Sequence, residues 1–434
     1  MASVDARRLF LLAFVLAGSA EASAQIGQPL PGFPDEDIVA GSHPFPMLDR
    51  ERAALEPTGH RLGSIMVLPQ IDVAPKYNSN LFATANNPKA DVATVISPSL
   101  AVRSDWSRHA INLSVSGDIG RYRKYTSENF DDYGVSAGVR LDIHRDSQIW
   151  FGATQSQLHE ARGSPDDVNG AEPTVFDQTS GSIAYQHRFN RLRMRLSGGW
   201  VRYDFRDTAA ATGTINNDDR DRNEYAASLR FGYAVTPNFE PYVRGTANLR
   251  DYVQEHDDAG FDRDSWGYET MGGMVVDLGG ITKLDAFAGF LFQDYHDPRL
   301  ETVAGPTFGG AINWNPARPL WLRLYAKRFV AETTQVDYSA SLNTEVGIVI
   351  AMTPRPDLSL TIRTAHLVSD YERNPSSAVT EREDDFLIAD IGLRYFLNRH
   401  LHVGPTARYV RRDSTLQHLD YSQTVALFRL GVRY

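Results

Sequence analysis

The last nine residues, Ala426-Leu427-Phe428-Arg429-Leu430-Gly431-Val432-Arg433-Tyr434, decide how the rest of the chain is read. Successive side chains of a strand point to opposite faces. Ala426, Phe428, Leu430, Val432 and Tyr434 therefore form one apolar face, and Leu427, Arg429, Gly431 and Arg433 share the other. The same two-residue period extends back to about Ser64. Ile111, Leu113, Val115 and Ile119 alternate with Asn112, Ser114, Ser116 and Asp118. Val243, Gly245, Ala247 and Leu249 alternate with Tyr242, Arg244, Thr246, Asn248 and Arg250, and Leu320, Leu322, Leu324 and Ala326 with Trp321, Arg323, Tyr325 and Lys327. The runs last about nine to twelve residues, the length of a tilted strand crossing a bilayer.

The connections alternate in length. Short turns fall near Asp105-Trp106-Ser107, Arg145-Asp146, Asn190-Arg191, Pro237-Asn238, Gly279-Gly280, Pro316-Ala317, Pro354-Arg355-Pro356 and Asn398-Arg399. Longer polar segments lie between them, such as Glu160–Thr174, Asp207–Arg222, Gln254–Arg263 and Glu372–Asp384. Short turns at one end and long loops at the other predict an all-β, antiparallel transmembrane barrel of bacterial outer-membrane type with about 18 strands, within a range of 16–20. A repeat of about 40 residues also fits a β-propeller, but each blade would need four short strands where this chain places two long ones. Tyr133, Tyr225, Trp266, Tyr268, Tyr295, Tyr338, Tyr371 and Tyr421 fall beside the long loops, where a girdle of rings at the headgroup level is expected. Phe428, Leu430, Val432 and Tyr434 have the form of the C-terminal signal read by the barrel assembly machinery, which makes that machinery and outer-membrane lipids the expected partners.

The N-terminus supplies an address. Arg7 and Arg8 precede the apolar run Leu9–Ala17, and a small-residue segment ends Ala22-Ser23-Ala24. This is the pattern of a secretory signal peptide over residues 1–24, with cleavage expected between Ala24 and Gln25. Residues 25–63 hold six prolines and show no lasting period, so a disordered periplasmic leader is expected ahead of a barrel over 64–434. The 434 residues include no cysteine, which excludes disulfides, thiolate metal sites and a thiol nucleophile. Forty-four Lys and Arg against 54 Asp and Glu give a net charge of −10, against nucleic-acid binding.

If the apolar faces meet lipid, the opposite faces line a lumen. Those faces carry Arg195, Arg230, Tyr242, Arg244, Arg250, Trp321, Arg323, Tyr325, Lys327, Arg363, Arg394, Arg408 and Arg429. Arginine is tolerated beside water, whereas on the lipid face at mid-depth it costs about 2–4 kcal/mol. Cationic walls concentrate anions, and rings beside guanidinium forks suit sugars. Pairing of these arginines with luminal acids such as Asp118 and Asp390 would instead leave them as wall solvation. No cofactor or catalytic set is expected: His109, His144, His159, His187, His366, His400 and His402 have no spacing that forces one. The acidic stretches Asn216–Arg222 and His256–Asp264 could bind Ca²⁺ but lack EF-hand spacing, and are read as solvated loops that divalent ions could bridge to lipopolysaccharide.

Arg103-Ser104-Asp105-Trp106-Ser107-Arg108-His109, Gly163-Ser164-Pro165-Asp166-Asp167, Arg188-Phe189-Asn190-Arg191, Asn216–Tyr225 and Arg394-Tyr395-Phe396-Leu397-Asn398-Arg399 resemble the outer-membrane proteins grouped as putative beta-barrel porin type 2. The resemblance runs from about Arg61 to Tyr434. Tyr77-Asn78-Ser79-Asn80-Leu81-Phe82 fits the family's first strand end, with Asn and Ser where acids are common. The association of such proteins with capsule or exopolysaccharide production implies a pore exporting a polysaccharide, with polymer synthesis and export components as partners. A general or anion-preferring diffusion porin and a non-conducting structural or adhesive surface barrel are the alternatives.

Overall fold

The computed structural model describes residues 55–375 and 377–434. The expected signal peptide with its Ala24–Gln25 cleavage position, and the expected leader as far as residue 54, lie outside the described residues. Eighteen long strands form the wall: β1 (Ile65–Asn78), β2 (Asp91–Ser104), β3 (Ala110–Tyr122), β4 (Phe130–His144), β5 (Ser147–His159), β6 (Val175–Phe189), β7 (Leu192–Phe205), β8 (Arg222–Tyr233), β9 (Phe239–Tyr252), β10 (Ser265–Leu278), β11 (Thr282–Tyr295), β12 (Val303–Ala317), β13 (Leu320–Glu332), β14 (Tyr338–Arg355), β15 (Leu358–Arg373), β16 (Glu383–Phe396), β17 (Leu401–Ser414) and β18 (Tyr421–Arg433). Each pairs antiparallel with its sequence neighbours. Closure comes from β1 against β18, with Gln70 opposite Arg433 and Asn78 opposite Val425. Among the described residues, no helix is long and apolar enough to cross a membrane.

The strands run from 12 to 18 residues, longer than the sequence period suggests. Alternation marks only the lipid-contacting part of a strand, and the wall continues past it as polar ladder. The leader also ends in structure: His60–Leu62 folds back on Ile65–Val67 at the short-turn end. Eight tight connections lie at that end and nine longer ones at the other. Among the described residues the eighteen-strand wall therefore has no free edge, as hydrocarbon requires.

Side-chain parity holds along the strands except where the register shifts, at Asp142–His144, Trp314–Ala317, Tyr338–Ala340 and Met352–Arg355. Leu113, Val135, Phe151, Ile183, Val243, Phe290, Leu324, Phe428, Leu430 and Val432 stand exposed on the outer face. Of the predicted girdle, Tyr133, Tyr225, Trp266 and Tyr268 also face outward, and Tyr268 stacks on Phe292. Tyr295, Tyr338 and Tyr371 do not, because they occupy inward positions of their strands and are buried. Tyr421, half-buried, packs on an internal cluster of Leu367, Phe386, Ile388 and Val410. A second cluster, Leu291, Tyr295, Leu300, Val303 and Leu342, also lies inside the long-loop end. The larger apolar clusters of this barrel thus anchor its loops, while Trp321, Val349 and Ala351 form a small one nearer the short turns.

Candidate functional site: the charged lumen and the loop that crosses it

Strand register sets the luminal charges at common heights. Arg195 of β7 lies opposite Arg230 of β8, which lies opposite Arg244 of β9. Like charges in such positions repel. Each guanidinium is met by an aromatic ring: Arg195 lies 5.4 Å from the Trp150 ring, Arg230 4.0 Å from Tyr242 and Arg244 5.2 Å from Phe287. Glu240 adds a bridge to Arg230 and another to Arg193, both 3.1 Å. The Tyr242 hydroxyl donates to Asp285 at 2.9 Å.

A second group lies across the lumen. Glu345 accepts from the Tyr325 hydroxyl at 2.6 Å, from Lys327 at 3.1 Å and from Arg363 at 3.3 Å. Arg323 lies 5.9 Å from the Tyr325 ring, and Trp321 is buried on the same inward row. In the next strands Asp390 sits between Arg363 and Arg408 in register and binds Arg408 at 2.8 Å. Arg394 shares the inward parity of Asp390, and Arg429 approaches Asp72 at 3.7 Å. The residues assigned to the lumen thus stand on inward rows. The wall mixes Arg with Asp and Glu rather than presenting a bare cationic surface. Glu240 was readable from parity, since it lies two and four residues from the inward Tyr242 and Arg244 of its own strand, whereas Glu345 is placed by its register opposite Lys327.

The loop between β5 and β6, residues 160–174, does not leave the barrel. The Thr333 hydroxyl donates to Asp166 at 2.6 Å, and the Gln335 amide to the Pro165 carbonyl at 2.6 Å. Thr333 and Gln335 connect β13 to β14, eight strands around an eighteen-strand wall, and Glu332 beside them bonds Arg250 and Tyr252 of β9 and Tyr295 of β11, so the two loops meet inside the lumen and together span it. Arg382 and Arg412 also reach carbonyls of this loop, at Pro165 and Gly163, both at 3.5 Å. Its near side is held by bidentate pairs: Arg220 to Glu160 at 2.8 and 3.0 Å, and Arg162 to Glu128 at 2.7 and 2.9 Å. Burial pushes the Glu160 carboxyl up, against the opposing pull of Arg220. Arg263, almost fully buried, donates to the carbonyls of Thr333, Gln335 and Tyr338 and pairs with Asp257 at 2.6 Å, which stiffens the far abutment.

Sequence reading did not find this crossing loop. Its contacts with the β13–β17 side are between residues 167 to 249 positions apart, and a Pro- and Gly-containing loop reads the same whether it turns out or in. The histidines have structural partners: His159 pairs with Asp132, His402 with Asp72 and His366 with Asp385, and His400 stacks on Tyr434. In the acidic loop, Asp262 and Asp264 gather with His296, their ligand atoms within 4.8 Å of one another.

A closed antiparallel wall, apolar outside and charged inside, defines a multi-pass β-barrel of the outer membrane. The chain belongs to the family described as "Putative beta-barrel porin 2", which matches residues 52–434. Among curated proteins none matches it. Similar solved structures include OccK3 (OpdO) of Pseudomonas aeruginosa, at 13% identity and TM-score 0.41, covering 85% of this chain and 95% of that one. The outer membrane protein OpdK of Pseudomonas aeruginosa matches at 14% identity and TM-score 0.42, covering 85% and 99%. A variant of the ferric enterobactin receptor PfeA of Pseudomonas aeruginosa matches at 6% identity and TM-score 0.44, covering 84% and 80%.

Proposed function

We propose that this barrel is a diffusion pore for small polar solutes, with the 160–174 loop setting its size limit. The observation that carries this reading is the pair of hydrogen bonds that Thr333 and Gln335, in the connection between β13 and β14, donate to Asp166 and Pro165. A loop fixed at both sides narrows the lumen permanently. Solutes that pass beside it must be small and exchange water for wall contacts. Paired arginines and acids supply those contacts without a deep electrostatic trap, which favours passage over retention. The rings of Tyr242, Trp321 and Tyr325 on inward rows favour a second reading, export of a polysaccharide chain that slides along them. Under that reading the crossing loop must swing aside. Secretion through a cleaved signal peptide and barrel insertion by the assembly machinery belong to both readings.

The two readings part on one experiment. Asp166→Cys with Thr333→Cys, joined by a short thiol cross-linker on this cysteine-free background, fixes the loop across the lumen. A diffusion pore keeps its conductance in planar bilayers and the cells keep their surface polymer. Loss of surface polymer with conductance retained favours the exporter. A folded wild-type barrel that carries no current removes both readings and leaves a structural or adhesive barrel.

A further inference from the structure

Charge is divided along the barrel axis. With each strand cut at its midpoint, the eight short turns and the strand halves beside them hold 19 Lys and Arg against 8 Asp and Glu. The nine long loops and the strand halves beside them hold 20 against 38. Pairing within either end redistributes charge but leaves a surplus of 11 positive charges at one end and 18 negative at the other. The inward rows change sign in the same direction. Arg103, Arg193, Arg195, Lys283, Arg323 and Arg394 stand inward beside the short turns, and Asp91, Asp118, Asp132, Glu224, Glu269 and Asp384 beside the loops.

Strand register sharpens the division. Toward the short turns Arg188 lies opposite Arg193, and Arg230 lies opposite both Arg195 and Arg244. Toward the loops Asp118 lies opposite Asp132, Asp177 opposite Asp204, Asp370 opposite Glu383 and Asp385 opposite Asp413. Like charges directly opposite one another weaken a sheet, so wall stability does not account for this sorting. The two halves of a 14-residue strand such as β9 have centres about 24 Å apart along the chain, or about 17–20 Å along the axis at the usual tilt. Screening at physiological salt acts over about 8 Å. A solute therefore meets the two regions in turn.

An anion drawn into the short-turn region is repelled by the loop region, and a cation meets the reverse. A neutral solute is neither drawn nor repelled. A solute with a carboxylate at one end and an ammonium at the other carries no net charge to be rejected, and can lie along the axis with each end toward opposite charge. From this placement we infer that the pore selects small zwitterions, of the kind of amino acids and short peptides. The carboxylate points to the short turns and the ammonium to the loops. The gain grows with the distance between the two charges, so an extended tripeptide is favoured over a single amino acid. The inference rests on the reading of the barrel as a pore and gives that pore a substrate class.

The experiment is tracer flux through the full barrel in proteoliposomes at about pH 6.5, where a peptide amino terminus is charged. Triglycine, N-acetyl-triglycine, triglycinamide and N-acetyl-triglycinamide supply the zwitterion, anion, cation and neutral forms of one peptide. At about 0.01 M salt, where screening reaches about 30 Å, triglycine is expected to pass at least about threefold faster than either singly charged form and about twofold faster than the neutral one. At about 1 M salt, with screening over about 3 Å, the rates should converge. Arg193→Gln with Arg195→Gln and Arg323→Gln weakens only the short-turn region, and should speed the cation and slow the anion. A singly charged form that passes fastest overturns the inference. So does a zwitterion no faster than the neutral peptide, an order that persists at high salt, or unmoved rates in the folded triple variant. Should that variant fail to fold, the wild-type order and its salt dependence decide alone. A folded wild-type barrel that passes none of the peptides removes the pore reading and this inference with it, whereas passage in another order removes only the inference.

Discussion

Gly163 shows how much of the crossing loop hangs on one residue. Its φ is +77°, and a Cβ added there would lie 2.6 Å from the Ala83 methyl and 2.8 Å from the Tyr421 ring. Positive φ and the overlap together cost a β-carbon about 1–3 kcal/mol. The overlap falls on the loops and on one ring at the first position of β18, not on the backbone pairing of the wall. Gly163→Ala is therefore expected to leave heat-modifiable mobility on gels unchanged while raising mean conductance and current noise, because the loop loses its seat against β18. Unchanged conductance would show that the loop does not limit flow. Acid responses are set by other single residues. Burial and the neighbouring Asp258 push Asp219 up to about 6, and burial does the same for Asp221, whose carboxylate accepts the Phe205 N–H at 2.6 Å. Both carboxyls bind protons more tightly in the folded loop than at their ordinary value of 3.8. Their stabilising contribution is full below about pH 4 and is lost as pH rises through 6. Amide exchange in residues 206–221 and 253–264, corrected for intrinsic rates, should be slower at pH 5 than at pH 7.5. Asp219→Asn should flatten that difference, and equal protection at the two pH values would refute it.

At the scale of the element, β18 is where the barrel closes, and its outer face is the part of the sequence that reads most plainly. Phe428, Leu430, Val432 and Tyr434 stand outward, and the backbone of Tyr434 continues the pairing with a bond to Pro69 at 3.0 Å. Phe428→Ser with Tyr434→Ser removes two rings from the lipid face, each worth about 1.5–3 kcal/mol of burial in hydrocarbon. The expected result is a several-fold drop in the heat-modifiable, protease-resistant form in the outer membrane, with unfolded chain accumulating. A normal folded level would refute a role for these rings in assembly. The same strand explains what sequence reading can reach. A two-residue period with one face in lipid has a single consistent register, and a slip of one residue would turn every apolar side chain inward. Strand number, turn positions and the inward placing of Arg195, Arg244 or Arg408 all follow from that constraint. Tyr295, Tyr338 and Tyr371 defeat the reading because near the loops both faces are covered, by lipid outside and by folded loops inside, so an apolar ring no longer reports which way is out. The 160–174 loop is harder still, since its direction is set by partners such as Thr333 and Arg412 that no local pattern connects to it.

Across the whole molecule, ion selectivity follows from where the charges stand relative to the flow. Arg244 comes from β9, and Arg323 and Arg363 flank Val349 of β14 at one height, so together they sample two parts of the wall. They differ in surroundings: Arg244 and Arg323 lie beside rings, whereas Arg363 shares Glu345 with Lys327 and Tyr325. Replacing all three by Ser removes three positive charges and no acid. Glu345 keeps Lys327, and Arg195 with Arg230 lose a like-charged neighbour, so the fold should survive and heat-modifiable mobility should be unchanged. The anion-to-cation permeability ratio should fall by about threefold at 0.1 M salt and further at 0.01 M, because the screening length grows from about 10 Å to about 30 Å. Bilayer reversal potentials under a salt gradient measure this directly. A ratio that does not move in a folded barrel means that these arginines are neutralised where they stand and only solvate the wall. A ratio that moves equally at both salt concentrations means that contact binding, not the field in the lumen, sets selectivity. If selectivity shifts and surface polymer also falls, the arginines lie on the path of a polyanion, and export becomes the better account of the pore. If selectivity shifts alone, the barrel passes small ions past a fixed loop, as a diffusion pore does.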